Sequence, residues 1–431
     1  MKIIYRLKAL TPTWFKRHIL PYYHFVLAYL GAVYYRHPSK EIKVIGITGT
    51  KGKSSVNEIL THILEADGHT VASVSTIKFK LGQKERRNLM KMTMPGRFFL
   101  QSFLREAVEE GCTHAVIEMT SEGARLHRQR FIEMDALIFT NLSPEHIESH
   151  GSFEAYKQAK LAIAKQLERS EKKERYIVAN ADDEYGADFL ETKVEHQLPY
   201  SLSDLTLYKL HKDSISLMFA DNTIRAPFIG LFNVYNTLAA ITYARAEGVS
   251  WQTIEEALRN HPPIKGRVET ITTPDTADKH LTIVVDYAHT PDSLKKIYSA
   301  FPENKKVCVL GNTGGGRDTW KRPEMAKIAE AHCESIILTN EDPYDEDPEK
   351  IVEEMHRAIE NKDKVATILD RRQAIEYAIE TATNDSVVLV TGKGTDPYIM
   401  GPYGSKTPWS DAEVVQEILE ELHPTSTEKT A

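Results

Sequence analysis

Residues Gly46 to Asn57 read GITGTKGKSSVN and follow the apolar residues Ile42, Val44 and Ile45, which have the make-up of a strand. A glycine-rich turn at a helix N-terminus points backbone N–H groups at anionic oxygens. A lysine at its end can reach terminal phosphates, and a neighbouring hydroxyl can ligate Mg2+. Gly49, Thr50, Lys51, Gly52, Lys53, Ser54 and Ser55 therefore predict an ATP cradle, with Lys53 on the phosphates and Ser54 on the metal. The spacing GTKGKS is shorter than the usual phosphate loop, because Ile47 stands where the first glycine would be. Open parallel sheets place their sites at the C-terminal ends of strands. Glu118 closes the run HAVIEMT and His146 follows ALIFTN, so both are expected on the rim that carries Lys53 and would make a second Mg2+ site there.

These residues need a scaffold, and from Glu41 onward apolar strands alternate with amphipathic helices, the pattern of parallel sheets with crossover helices. Strands are predicted at 43–48, 70–76, 114–120, 136–141 and 176–180, with helices at 54–66, 98–109 and 153–168. Short alternating runs between 205 and 227 predict antiparallel strands, followed by helices from about residue 233 and at 251–260. HPPIKGR, at 261–267, reads as a hinge. A second series follows, with strands at 281–287, 306–310, 335–339, 366–369 and 386–391 and helices at 291–301, 323–332, 348–361, 372–381 and 411–422. The expected fold class is α/β. A basic, aromatic segment (1–40) precedes a central P-loop-type nucleotide-binding domain with a mostly parallel sheet (41–262). A C-terminal Rossmann-like domain (263–425) and a short tail (426–431) follow. GNTGGGR at 311–317 lacks the dinucleotide fingerprint, which argues against a nicotinamide cofactor.

A net charge of −7 over 431 residues gives no nucleic-acid signal. Cys112, Cys308 and Cys333 are widely spaced and odd in number, and read as buried thiols in a reducing cytoplasm. Residues 1–40 contain no Asp or Glu but carry Lys2, Arg6, Lys8, Lys16, Arg17, Arg36 and Lys40 around an apolar aromatic run from Ile19 to Tyr35. That run is too short to span a bilayer. It suits either peripheral contact with the inner face of the membrane or a helix packed on the body of the protein.

The shortened loop, with NLSPEHIESHGSFEAYKQAK at 141–160, resembles the Mur ligase family of ATP-dependent amide-forming ligases. The resemblance implies that Glu145 and His146 are the family's acidic-histidine pair and that Lys160 is the lysine modified by CO2. A carbamylated Lys160 would supply an anionic ligand where an ammonium would repel two Mg2+ ions. LFNVYN at 231–236 is similar to a helix start whose asparagines, here Asn233 and Asn236, read adenine. KGRVE at 265–269 resembles the hinge whose arginine, Arg267, reaches ATP phosphate. DYAHTPDSL at 286–294 resembles the ligases that add the third peptide residue to a UDP-linked muramyl dipeptide. By that resemblance Asp286 accepts from ribose hydroxyls and His289 lines the nucleotide site. Arg317, Asp318, Lys321 and Arg322 match a further subfamily string.

Several positions depart from the pattern. Segment 1–40 stands where the family's UDP-holding domain is expected, so a shorter or lipid-linked carboxylate acceptor competes with a UDP-linked one. Thr93, Ser121 and Arg128 match acceptor-binding positions, while Met94 replaces a threonine and Glu122 a histidine. In TNEDPYDEDP at 339–348, Asp342 and Tyr344 replace the asparagine and arginine with which diaminopimelate-adding enzymes select their amino acid. Gly392 and Asp396, in TGKGTDPY, match the loop that holds the incoming amine.

A carboxylate and an amine do not condense in neutral water, so the acid is first phosphorylated to an acyl phosphate, which the amine then attacks. The expected protein is a cytoplasmic ATP-dependent carboxylate–amine ligase with Lys53, Glu118, His146 and Lys160 at its centre, building cell-wall peptides. A folylpolyglutamate-synthase-like ligase and a non-catalytic ATP-binding scaffold are the alternatives. Arginine grips a carboxylate through two parallel bonds that tyrosine cannot make. Tyr344→Arg is therefore expected to raise diaminopimelate use relative to lysine, measured as phosphate released with each amino acid. An unchanged ratio would remove this loop from the specificity argument.

Overall fold

Val44, Ile45 and Ile47 are wholly buried because their strand runs through the middle of a sheet covered on both faces, which is why the sequence there is almost continuously apolar. The computed structural model describes residues 20–145, 147–274, 277–316 and 318–424. His146, Arg317, residues 1–19 and the tail lie outside the described residues. The chain divides between Pro262 and Pro263 into two compact units.

In the first unit, β1 (Lys43–Thr48), β2 (Val71–Val74), β3 (Lys78–Leu81), β4 (Lys84–Arg87), β5 (His114–Glu118), β6 (Ala136–Phe139), β7 (Tyr176–Asn180) and β8 (His196–Tyr200) form one sheet in the order β4-β3-β2-β5-β1-β6-β7-β8. The six strands from β2 to β8 are parallel, and β3 and β4 add an antiparallel edge. The helix Lys53–Ala66 buries Val56, Ile59, Leu60, Ile63 and Leu64 at helical spacing, and Phe153–Glu168 is capped by Ser152, whose hydroxyl accepts from Ala155 N–H. A separate antiparallel sheet follows the parallel one, made of β9 (Leu205–Leu210), β10 (Ile215–Phe219) and β11 (Asn222–Ala226).

The edge hairpin β3–β4 was not predicted. KFKLGQKERR has too few apolar residues to signal a strand, and its lysines are instead held by charge: Lys78 pairs with Glu58 and Glu85, and Lys80 with Glu65 and Glu85. A fully exposed, cationic β4 is a usual way of closing a sheet edge to further pairing.

In the second unit, β12 (Glu269–Thr272), β13 (Thr282–Asp286), β14 (Lys306–Leu310), β15 (Ser335–Leu338), β16 (Val365–Thr367) and β17 (Val387–Thr391) form a sheet in the order β12-β13-β17-β14-β15-β16, parallel except for β12. A small hairpin, β18 (Tyr398–Met400) and β19 (Lys406–Pro408), follows. The cysteines depart from the expectation of three thiols. Cys308 on β14 and Cys333 just before β15 are joined in a disulfide with Cα atoms 6.2 Å apart, and only Cys112 is free. The crossover helix Lys321–His332 returns the chain to the neighbouring strand, so cysteines far apart in sequence meet in space.

Arg371 and Asp411, both buried, tie the helices Arg371–Thr381 and Asp411–Leu422 together through two 2.7 Å bonds, and Arg371 also donates to the carbonyl of Thr391 at the end of β17. Arg371→Leu would strand a buried carboxylate and is expected to cost about 3–5 kcal/mol in chemical denaturation. Arg372→Leu, which removes only exposed ion pairs, should cost less than about 1 kcal/mol.

Candidate functional site

The order of the sheet puts β1 between β5 and β6, so the loop after Thr48 emerges between two other strand ends. Gly49 has φ +146°, and a Cβ there would lie 1.9 Å from Thr140 Oγ1. Gly52, at the start of the helix Lys53–Ala66, has φ +85°, and its Cβ would lie 2.3 Å from Asn236 Oδ1. Neither position can take a side chain, which leaves the bare backbone a phosphate cradle requires. The residues after β6 hold the loop in place. Thr50 N–H donates to the Asn141 carbonyl (2.8 Å), Lys51 N–H to Asn141 Oδ1 (3.0 Å), and Thr140 Oγ1 to the Lys51 carbonyl (2.6 Å). Lys53 Nζ folds back onto the carbonyls of Gly49 and Thr50, 2.9 Å from each.

Lys160 reaches the same loop from the helix Phe153–Glu168. Its Nζ donates to the Gly49 carbonyl at 2.6 Å and sits 4.9 Å from the centre of the Tyr156 ring, with almost no exposure to solvent. Burial holds its pKa well below that of an ordinary lysine. Lys53 and Lys51 push the same way, and Glu145 opposes them. Glu145 is itself buried and pairs with Lys51 at 2.8 Å. The Tyr156 hydroxyl lies 3.0 Å from Thr50 Oγ1, and burial raises its pKa. Three lysines and one described carboxylate thus converge on one loop, an arrangement that attracts anions.

Glu118, on the strand beside β1, is fully buried and accepts from Thr76 N–H (2.9 Å) and Thr76 Oγ1 (3.2 Å). Thr76 Oγ1 in turn meets Thr93 Oγ1 at 2.9 Å, which links Glu118 to one of the expected acceptor positions. Sequence reasoning missed Thr76; its signal was a hydroxyl just past the end of β2, next to β5 in the sheet. Asn236 Nδ2 donates to Asn233 Oδ1, and Asn233 Nδ2 to the Ile229 carbonyl, so this pair is locked beside Gly52.

Ser121 begins the short helix Ser121–Arg125, capped by Thr120. Arg128 donates to the carbonyl of Met94 and to Met92 Sδ. Met94 is buried and fills the space over Gly123, so it serves core packing. Glu122 pairs with Arg125, Ser149 and His150.

In the second unit, Asp286 accepts from the N–H groups of Val268 and Ala288, both at 2.8 Å. Burial raises its pKa against the opposing charge of Arg267. Arg267 lies over the Tyr287 ring, and His289 Nδ1 donates to the Tyr287 carbonyl. Asp342 and Asp396 do not stand open for an incoming amine: buried Lys393 donates to Asp342 (2.8 Å), to Asp396 (3.3 Å) and to the carbonyl of Tyr398 (2.6 Å). Lys393, unnoticed in sequence, was marked by its place between Gly392 and Gly394. At Gly392, φ is +108° and a Cβ would lie 2.6 Å from Glu341 Oε2. Tyr344, at φ +53°, donates its N–H to the Met400 carbonyl. Lys321 lies 3.8 Å from Asp318, and Arg322 is anchored by Glu346 and Glu354. The structure thus gathers residues 49–55, Glu118, Lys160 and Asn236 around one rim of the first unit, and Asp342, Gly392 and Asp396 around Lys393 in the second.

Comparison with known proteins gives a consistent picture. Residues 47–244 match the Mur ligase middle domain and residues 266–394 the Mur ligase, glutamate ligase domain. The UDP-N-acetylmuramoyl-L-alanyl-D-glutamate–2,6-diaminopimelate ligase of Caldanaerobacter subterraneus is 34% identical over 92% of this chain and 82% of its own length. A solved structure of a ligase of that name is 26% identical, with a TM-score of 0.60 over 89% of this chain and 79% of its own. Folylpolyglutamate synthase of Mycobacterium tuberculosis shares the fold, with a TM-score of 0.68 over 85% of this chain and 92% of its own at 14% identity.

The buried amine of Lys160 has a measurable consequence in CO2-free buffer. Above pH 10.5 it is neutral whether the chain is folded or not; as pH falls through the window between 10.5 and its lowered value, the unfolded chain takes up a proton that the folded one refuses, so stability drops. The stability of Lys160→Met relative to the parent should therefore be greatest near neutral pH and shrink toward pH 10.5, measured by urea unfolding. A difference independent of pH would contradict the burial argument.

Proposed function

This chain belongs to the Mur ligase family and is an ATP-dependent acid–amino-acid ligase, and we propose that it adds an amino acid to a muramyl-dipeptide-like acceptor in the cytoplasmic assembly of cell-wall peptides. The observation that carries this reading is the meeting of Lys51, Lys53, Glu145 and the uncharged-leaning amine of Lys160 on the glycine loop.

The loop fits a nucleotide's phosphates, since Gly49 and Gly52 leave room only for backbone. Ser54 and Glu118 would take Mg2+, together with His146. Among the described residues no three His, Cys, Asp or Glu side chains converge on a metal position. A carbamate on Lys160 would supply the further anionic oxygen that two Mg2+ ions need. A neutral lysine amine is the form that attacks CO2, and burial favours that form here.

When bound, the magnesium nucleotide supplies the phosphoryl group that turns the acceptor carboxylate into an acyl phosphate. Lys53, braced by two loop carbonyls, offsets negative charge at that point. Thr93, Ser121 and Arg128 hold the acceptor, UDP-linked or otherwise. Asn233 and Asn236 read the base, while Arg267, Asp286 and His289 complete nucleotide binding. The incoming residue's amine is held at the loops of Asp342, Gly392 and Asp396, which Lys393 ties together. Tyr344 offers no fork for a distal carboxylate, so selection falls on a feature that lysine and diaminopimelate share.

Phosphate release screened over amino acids with UDP-linked muramyl dipeptide, UDP-free muramyl dipeptide and folate tests the reading. Turnover with a muramyl acceptor supports it, and turnover with folate alone overturns it. Lys53→Ala is expected to lower kcat by about 100-fold or more. Protein equilibrated with 13C-bicarbonate should show one carbamate carbon resonance that Lys160→Ala lacks; identical spectra would remove the carbamate from the mechanism.

A further inference from the structure

The helix Leu20–Tyr34 is built inside out. Its packed face carries the small residues Ala28 (1% exposed), Gly31 and Ala32 (0%) together with His24, laid against the helix Arg97–Glu109, where a Cβ at Gly31 would meet Phe98. Its outer face holds the large ones: Tyr22 (75% exposed), Val26 (51%), Leu30 (48%), Val33 (45%) and Tyr34 (74%), with Tyr29 between them. A surface helix ordinarily does the opposite. Phe98, Leu89, Met90 and Met92 are also exposed, and Met92 touches Arg128, so apolar surface continues beyond the helix. A contiguous patch of this kind on one side of a protein marks a partner.

The charges around it indicate which partner. In sequence, Lys2, Arg6, Lys8, Lys16 and Arg17 precede the helix, Arg36 and Lys40 follow it, Lys40 paired with Glu171, and there is no acidic residue in the first forty. Arg130 lies over the Phe25 ring, and Arg97 and Arg128 have no carboxylate within ion-pair distance among the described residues. Two copies of this chain meeting through the helix would bring these cations together and repel. An anionic leaflet would neutralise them while taking the apolar side chains among its acyl chains. Fifteen residues cannot cross a bilayer, no described helix is long and apolar enough to do so, and tyrosines at the margins suit the headgroup layer.

We propose that Leu20–Tyr34 is an in-plane docking helix that seats this protein on an anionic lipid leaflet, with its small-residue face on the protein and its large apolar face in the lipid. In this proposal Leu20–Tyr34 would combine the two alternatives raised for it from sequence, a helix packed on the body and an interfacial element. The inference does not depend on the ligase reading.

The test is co-sedimentation of the full chain with vesicles of phosphatidylcholine alone or with phosphatidylglycerol added. The parent should partition at least about 10-fold better onto the anionic vesicles and lose that preference in high salt. Val26→Glu with Val33→Glu should reduce binding by about 10-fold or more, since both charges would enter the apolar layer. Leu207→Glu with Leu210→Glu, equally exposed apolar positions on β9, should leave binding unchanged. Thermal melts of all variants separate loss of binding from loss of fold. Equal binding of parent and helix variant, or no anionic preference, overturns the proposal. So does a dimer, seen by light scattering, that the helix variant dissociates while vesicle binding stays absent.

Discussion

Two lysine amines share one carbonyl oxygen. Lys53 and Lys160 come from different helices, and both donate to Gly49. In a dry interior two cations cannot rest on one neutral acceptor at no cost, and the structure answers this in three ways. Glu145 sits nearby and pairs with Lys51, burial shifts Lys160 toward its uncharged form, and Lys53 shares itself with a second carbonyl. Among the described residues the cationic groups here outnumber the anionic ones, and they face backbone at Gly49 and Gly52 that no side chain can cover. Phosphate would satisfy them, as would a carbon dioxide adduct on Lys160, which converts one of the competing cations into an anion.

Everything that produces this arrangement comes from sheet order. β1 must be central for its following loop to be flanked by Thr140 and Asn141 on one side and by the Glu118 strand on the other. Those two residues act as a mould, since they bind the loop through its backbone and one of them occupies the space a Cβ at Gly49 would need. The helix Phe153–Glu168 then delivers Lys160 from above the sheet. In the second unit the same logic reappears with opposite sign: a buried cation, Lys393, holds two carboxylates at the ends of neighbouring loops.

The sequence made the α/β class and most of the strands and helices legible, because parallel strands covered on both faces must be apolar throughout. β1, β7 and β14 and the helices Phe153–Glu168 and Asp411–Leu422 follow their predicted limits. Elements stabilised by charge or by the sheet edge were not legible. β4 is wholly exposed, β12 alternates as an edge strand, and the hairpin β18–β19 is too short to carry a period. In the site, residues with an evident chemical type stood out, whereas those acting through contact did not. Thr76 is an ordinary threonine until the β2–β5 pairing places it on Glu118. Lys393 looks like a loop lysine until two carboxylates close on it, and the Cys308–Cys333 pairing depends on the adjacency of β14 and β15.

The inward face of the helix Leu20–Tyr34 joins the first unit's two surfaces into one problem. His24 lies on it, with burial, then Arg97, His127 and Arg128, lowering its pKa to about 4. At neutral pH it therefore adds no charge to that cluster. Burial also lowers the pKa of Arg97 and of Arg128, and Arg97 adds to the effect at Arg128. Glu122 opposes this at Arg128, and no described carboxylate lies within ion-pair distance of either arginine. Cations without an ion pair beside a lipophilic face make sense if an anionic group arrives there from outside. On the proposed membrane seat, an anionic headgroup would bring the missing negative charge to that wall.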